Sequence, residues 1–405
     1  VDPYSCMTPG KERLYTLPFF TMAFANLCNL TSFGAFFLFP LFVTQRGGDQ
    51  VDVGVIMGAF ALASVICRPW ISEMIDRMGR KWTFTLGAIV MTLMPLTYTT
   101  LRGNVEDFLW LLIVFRVIHG VGFAISLTAA FTFVADLVPP SRLNEGVGMF
   151  GVSGLTGAAL GPVIGEWIIN YSGFTSLFHI AAIIPFVGLL AQLFLTETHS
   201  RTARVVSHSF FKVLAMPRIL LVAALSFLFG VGIAASNGFV SPYASEMRVA
   251  FISVYFMAYS AAAIVTRFAG SRIADQYGEE KVIPYAMFIA GTGFFLLVFL
   301  GGEILLLCAG LLAGCGHGFL FPSLNALALR GAQSHSRGKI TGAFTGSIDA
   351  GVFAGSLILG LIGEYFGFRV LFLTASLALW TALLLFRFQT WRHPHLLLSS
   401  GRDKC

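Results

Sequence analysis

The chain has 405 residues, of which 56% are hydrophobic and 11% charged, with a formal net charge of +6 and a mean hydropathy of +0.80. A water-soluble domain carries about 25% charged residues to cover its surface, so this composition excludes a soluble globular enzyme and gives nucleic-acid binding no support. The basic excess is instead a signal of membrane orientation.

A helix crosses the bilayer core with about 20 apolar residues, and twelve such runs are expected along the chain. They fall at 14–43, 52–73, 82–101, 107–135, 146–169 and 174–195, then at 218–241, 249–271, 282–300, 304–328, 339–362 and 369–389. The first run extends beyond a signal-peptide core and is followed by no A-x-A cleavage site, so it reads as a retained helix. The longest polar and basic break follows the sixth run. It divides the chain into an N-terminal six-helix bundle (1–195), a cytoplasmic linker (196–217) and a C-terminal six-helix bundle with a cytoplasmic tail (218–405). With the N-terminus inside, only Arg46, Arg102, Arg248 and Arg369 of the 26 Lys and Arg fall outside, and Arg116 lies within the fourth run. Positive loops stay on the cytoplasmic side, so both termini are expected there.

The six cysteines show no metal-ligand spacing and read as packing residues. No cofactor or metal is expected. No nucleophile triad or phosphate loop occurs at usable spacing, so the chain does not read as an enzyme. Glycine, with 43 copies, clusters inside the apolar runs, where it lets helices approach closely.

One segment occurs twice. RPWISEMIDRMGRK, from Arg68, returns as RFAGSRIADQYGEEK, from Arg267, and a single offset of 199 pairs Arg68 with Arg267, Ser72 with Ser271, Asp76 with Asp275 and Gly79 with Gly278. Each copy joins two apolar runs, the pattern of a transporter built from two equivalent halves.

The residues DRMGRK (Asp76 to Lys81) resemble the loop signature of the major facilitator superfamily, G-x-x-x-D-R-x-G-R-[KR], with Ser72 in place of its leading glycine. The second copy keeps Asp275 and Gly278 and replaces the basic pair by Glu279 and Glu280. FRVIHGVGFA around Arg116 resembles the fourth-helix motif R-x-x-x-G. GAALGPVIG resembles the antiporter motif G-x-x-x-G-P-x-x-G through Gly157, Gly161, Pro162 and Gly165. The run containing Asp349 resembles the eleventh helix of the twelve-helix drug:proton antiporter branch. The resemblance implies an all-α membrane protein with two pseudo-symmetric six-helix bundles and alternating access to a site between them.

Asp349 lies about eleven residues into its run, near the midplane at ~1.5 Å per residue. An ionised carboxylate there must be paired, protonated or in a wet cavity, which suits a proton carrier; a structural Asp at a kink is the other reading. Arg116 is similarly deep and cannot shed its proton, and His119, one turn further on, is a proton-coupling candidate because a histidine can titrate near neutral pH, with a packed, hydrogen-bonded histidine as the other reading. The resemblance implies that Arg116 serves proton coupling or substrate-anion binding. Asp76, Arg77, Gly79, Arg80, Lys81, Asp275, Gly278 and Arg272 are expected to form a cytoplasmic gate whose arginines bridge to the other half only when that face is closed, with Arg68 and Arg267 in the same charge cluster; topology markers and turn residues are the other reading. Glu166 and Glu364, in matching GEW and GEY contexts, read as solvated helix ends, with gating as the alternative. The glycines of the antiporter motif are expected to pack the fifth run on the eighth. Asn26, Asn29, Thr31, Asn237, Tyr255, Tyr259 and Asn325 are drafted as a cavity lining.

Together these features read as a monomeric, proton-coupled exporter of a small amphipathic or hydrophobic compound, spanning the cell inner membrane. A proton symporter importing a metabolite and a non-transporting receptor or assembly subunit are the alternatives.

Overall fold

In hydrocarbon every backbone N–H and C=O must find its partner within the chain, and long apolar runs achieve this as helices. The computed structural model describes residues 14–139, 142–198, 214–330 and 337–392, and these hold helices and turns but no strand. The side chains of Ser72, Ser271, Arg272 and Asp275 lie outside this description, as do residues 199–213 of the expected linker.

The N-terminal half contains α1 (Leu17–Thr44), α2 (Gln50–Met78), α3 (Arg80–Thr97) and α4 (Val105–Leu137). The helical run Leu143–Leu193 is broken at Gly173, where φ is 75°, into α5 (143–172) and α6 (174–193). The C-terminal half contains α7 (Pro217–Glu246), α8 (Ser253–Tyr277), α9 (Glu279–Leu297) and α10 (Glu303–Leu329). Its last run, Arg337–Arg392, is broken at Gly367, with φ 81°, into α11 (337–366) and α12 (368–392). Gly79 and Gly278, at φ 90° and 81°, make the corresponding breaks after α2 and α8. Each half therefore turns at the same two places, on glycines whose positive φ a side chain would strain.

Helix starts are set locally. Asp49 and Asp52 form a reciprocal capping box at α2, with bonds of 2.8 and 3.1 Å, and Asn104 with Asp107 does the same at α4. An even number of crossings puts both ends of the described chain at one face, here the terminal face. Trp70, Trp82 and Trp391 are exposed near it, and Trp110, Trp167 and Tyr171 are exposed near the opposite face, as befits aromatic belts at two interfaces.

The glycines of the antiporter motif pack α5 onto α1 and not onto α8 as expected. A Cβ on Gly157 would lie 2.6 Å from the Leu27 carbonyl oxygen, and one on Gly161 would lie 2.6 Å from the Gly34 carbonyl carbon. Gly165 faces Ala35 and Leu38 of the same helix, and Pro162 is buried beside them. Small residues on α1 complete the close approach, which spacing on α5 alone does not reveal. In the other half Gly351 meets Phe227 and Gly230 of α7 in an equivalent contact. The halves meet along α2 with α11 and α5 with α8. Towards the opposite face, a Cβ on Gly360 would come within 2.7 Å of the Gln50 carbonyl oxygen.

Candidate functional site

Between the halves lies a cavity of about 300 Å³, at the lower end of the range for small-molecule sites. Its walls are mostly aromatic and aliphatic, with Phe33, Phe36, Phe60, Phe123 and Met57 from one half and Phe256 and Val352 from the other. Polar groups are few: Ser64, Arg116, Asn237, Tyr259, His317 and Asp349 are prominent among them.

Of the drafted lining, Asn237 and Tyr259 reach the cavity and the others do not line it. Asn26 turns into its own bundle and donates to Ser153 Oγ at 2.9 Å. Thr31 bonds back to the Leu27 carbonyl at 2.8 Å. Asn29 and Tyr255 are buried in packing, and Asn325 Oδ1 is buried with no hydrogen-bond partner. Depth along a helix was readable from the sequence, but its angular facing was not. Both sides of these helices are apolar, one towards lipid and one towards protein.

Arg116, 1% exposed, sits among rings, with its guanidinium carbon 4.5 Å from the Phe60 centroid and 5.2 Å from that of Phe39. Its Nη2 lies 3.4 Å from Met57 Sδ, while Nε and Nη1 are buried without hydrogen-bond partners. His119 is buried, with Nδ1 3.2 Å from the Tyr98 hydroxyl, and Tyr98 also interacts with Arg116. Tyr98 lies just past α3, where no sequence motif marks it.

Arg68 leaves the expected gate cluster and meets Asp349 across the two halves. Its Nε donates to Asp349 Oδ2 at 3.0 Å, and its Nη2 bonds the same oxygen. Arg68 follows Ser64 by one helical turn, and its guanidinium meets Asp349 in the cavity wall of α11. Arg267, its counterpart, sits beside Gly151 and Phe321.

At the terminal face the loop motif is held within its own bundle. Asp76 is exposed and pairs with no described residue, and Arg77 pairs with Glu73 at 2.5 Å. Arg80 Nε lies 2.8 Å from Asp136 Oδ2 at the end of α4. The Arg80 and Lys81 amides donate to Glu197 at 2.8 and 3.1 Å, and Lys81 Nζ donates to the Leu193 carbonyl at 2.8 Å. In this structure Arg80 pairs with Asp136 of its own half; a bridge to the other half is expected only when the terminal face is closed. In the second copy the charges are reversed: Glu279 and Glu280 both pair with Arg330 at the end of α10. This reversal accounts for the missing basic pair. Glu197, read as linker, is a capping residue that the polar TETH segment alone did not single out.

At the opposite rim, Glu166 is not a solvated helix end. It is buried and accepts from the Ile252 and Ser253 amides at the start of α8, at 2.7 and 2.8 Å. Glu364 accepts from the Gln50 amide at the start of α2, at 3.1 Å. Each half thus caps a helix of the other, where the helix dipole favours a negative charge.

The major facilitator superfamily family model matches residues 19–356. The chain is 24% identical over 354 residues to an uncharacterised MFS-type transporter of Methanocaldococcus jannaschii, covering 83% of this chain and 89% of that one. It is 24% identical over 366 residues to the multidrug resistance protein MdtG of Klebsiella pneumoniae, covering 85% and 86%. The fold is similar to that of the crystallised nucleoside transporter NupG, with a TM-score of 0.74, 14% identity and coverage of 92% and 99%. It is also similar to a crystallised POT family transporter, with a TM-score of 0.78, 13% identity and coverage of 94% and 96%. With its twelve helices, two equivalent halves and a cavity between them, the chain belongs to the major facilitator superfamily and is a multi-pass membrane transporter of small molecules.

Proposed function

We propose that the protein is a proton-coupled exporter of small amphipathic or hydrophobic organic compounds, working as a monomer in the inner membrane with its terminal face in the cytoplasm. The carrying observation is the Arg68–Asp349 pair, a titratable carboxylate in the cavity wall whose partner belongs to the other half. Protonating Asp349 removes the charge that holds Arg68, so a proton and the α2–α11 contact compete for one oxygen. Proton binding then favours separation of the halves at that wall, and proton release favours their closing. Tight α2–α11 packing and the two glutamate caps close the opposite rim in this state, so cargo is loaded from the terminal face. The aromatic lining suits an apolar body. The Lys and Arg bias supports the orientation, and the similarity to multidrug resistance proteins favours export. Arg116 with His119 and Tyr98 forms a second buried polar group, poised to sense what occupies the cavity. Asp76, Gly79 and the residues around them form the gate that closes the terminal face in the alternate state.

The test is cargo-linked proton movement in proteoliposomes under an imposed pH gradient. Asp349→Asn keeps the shape of the protonated acid, so it is expected to bind cargo but to lose gradient-driven transport by at least about tenfold. Arg116→Ala is expected to weaken cargo binding and transport together. Unchanged coupling in Asp349→Asn sinks the assignment, and accumulation in the direction of proton entry turns the reading to import.

A further inference from the structure

The pseudo-symmetry of the two halves fails at one charged position. The offset of 198 that relates Glu166 to Glu364 and Gly157 to Gly355 also relates Gly151 to Asp349. Arg68 and Arg267 occupy equivalent places on α2 and α8. Arg68 reaches across the halves to α11 and finds the Asp349 carboxylate. Arg267 reaches across to α5 and finds Gly151, where a Cβ would lie 2.7 Å from its Nη1. The carboxylate that the symmetry calls for is replaced by a hydrogen atom.

Arg267 has no counter-charge among the described residues. Its Nε is buried without a hydrogen-bond partner, and its guanidinium carbon lies 5.5 Å from the Phe321 ring centroid. Tyr259 of α8 and His317 of α10 interact with it electrostatically; they hydrogen-bond to each other and line the cavity, whereas Arg267 itself is not part of that lining. Asp349 is the acid lining the cavity among the described residues, and Arg68 already neutralises it. Arg116 and Arg267 are left in excess. A guanidinium held away from water is costly until an anion with matching oxygens meets it.

The geometry points to Arg267 as the binding site for the anionic head of the cargo, a carboxylate or phosphonate on an apolar body, meeting the guanidinium between α5 and α8 where Gly151 presents no side chain to pair with it. The head completes the ion pair that Asp349 supplies on the other side, and the apolar body lies against the cavity's aromatic wall. Cargo thereby joins α5 and α8 at the depth where the protein lacks the ion pair that it has between α2 and α11. This rests on the cavity being the transport site, and it narrows the cargo to organic anions.

The test uses the full chain in phosphatidylcholine nanodiscs and three probes with one apolar body: 1-naphthoate, 1-naphthalenemethanol and 1-naphthylmethylamine. Binding is read by thermal shift and calorimetry. Naphthoate is expected to bind best, and Arg267→Gln to weaken it at least about tenfold while leaving the alcohol unchanged. Gly151→Asp is the second variant. Its carboxylate meets the movable end of Arg267, so it should raise Tm without ligand and abolish naphthoate binding. Equal naphthoate affinity in wild type and both variants overturns the assignment, as does tighter binding of the amine. Arg267-dependent stabilisation by added phosphatidylglycerol but not by naphthoate makes the occupant a lipid headgroup and also overturns it. Transport separates this from the broader reading. Proton-driven movement of the alcohol without naphthoate binding leaves export standing and removes the anion site; naphthoate binding through Arg267 without movement does the reverse.

Discussion

Gly79 carries two requirements at one Cα. Its φ of 90° lies where a side chain is strained, and a Cβ there would sit 2.6 Å from the Glu197 carboxyl carbon. Gly278, its counterpart at φ 81°, has open space at the same place. Strain of this kind costs on the order of 1–3 kcal/mol, so Gly79→Ala and Gly278→Ala should both lower the melting temperature in detergent. Gly79→Ala should lower it more, because it also displaces the carboxylate that caps α3. Adding Glu197→Ala should erase the difference; if the gap persists, Glu197 is not its cause. Sequence showed Gly79, Asp349 and Arg116 readily, since a turn glycine in a repeat and a charge in an apolar run are both rare. It did not show Glu197, Tyr98 or the facing of Asn26, because a partner brought in by folding leaves no local pattern.

Helix contacts place the antiporter-motif glycines inside one bundle. Their role is then to hold α5 against α1, so that α5 moves with its half as a rigid wall. Leucine at Gly161 must displace backbone on α1, and overpacking of this kind costs about 1–3 kcal/mol or more. Gly161→Leu is expected to lower folded yield and melting temperature, with protein that does fold remaining sealed at the α5–α8 contact. A variant with wild-type melting behaviour that leaks across the membrane would return the motif to the interface with α8. The helices themselves were legible to within a few residues because lipid imposes both length and composition on them. The choice of neighbour was not, because every helix here offers several faces of small and apolar residues.

At the scale of the molecule, the two halves share an architecture but divide the charges differently. Arg80 with Asp136 becomes Glu279 with Arg330, so the same brace survives with its signs exchanged. Arg68 with Asp349 becomes Arg267 with Gly151, so an ion pair joins α2 to α11 and has no counterpart between α5 and α8 among the described residues. The repeat made the equivalence of the halves legible from residues alone. The exchange of signs looked like a loss until α4 and α10 brought the partners into place.

The caps at the opposite rim bind something that most substitutions cannot alter. Glu166 and Glu364 grip main-chain amides, so the hydrogen bonds of the clasp do not themselves depend on the side chains at Ile252, Ser253 and Gln50. Proline is the exception, because it deletes the donor yet suits the first position of a helix. In a background with a cysteine at Ser64, Ser253→Pro should increase labelling by a membrane-impermeant maleimide applied from the opposite face, while Ser253→Ala should leave it unchanged. Equal labelling in both would show that the rim is held shut by side-chain packing alone. The inherited half of this lock is a pair of glutamates, and the other half is peptide backbone, common to every residue but proline.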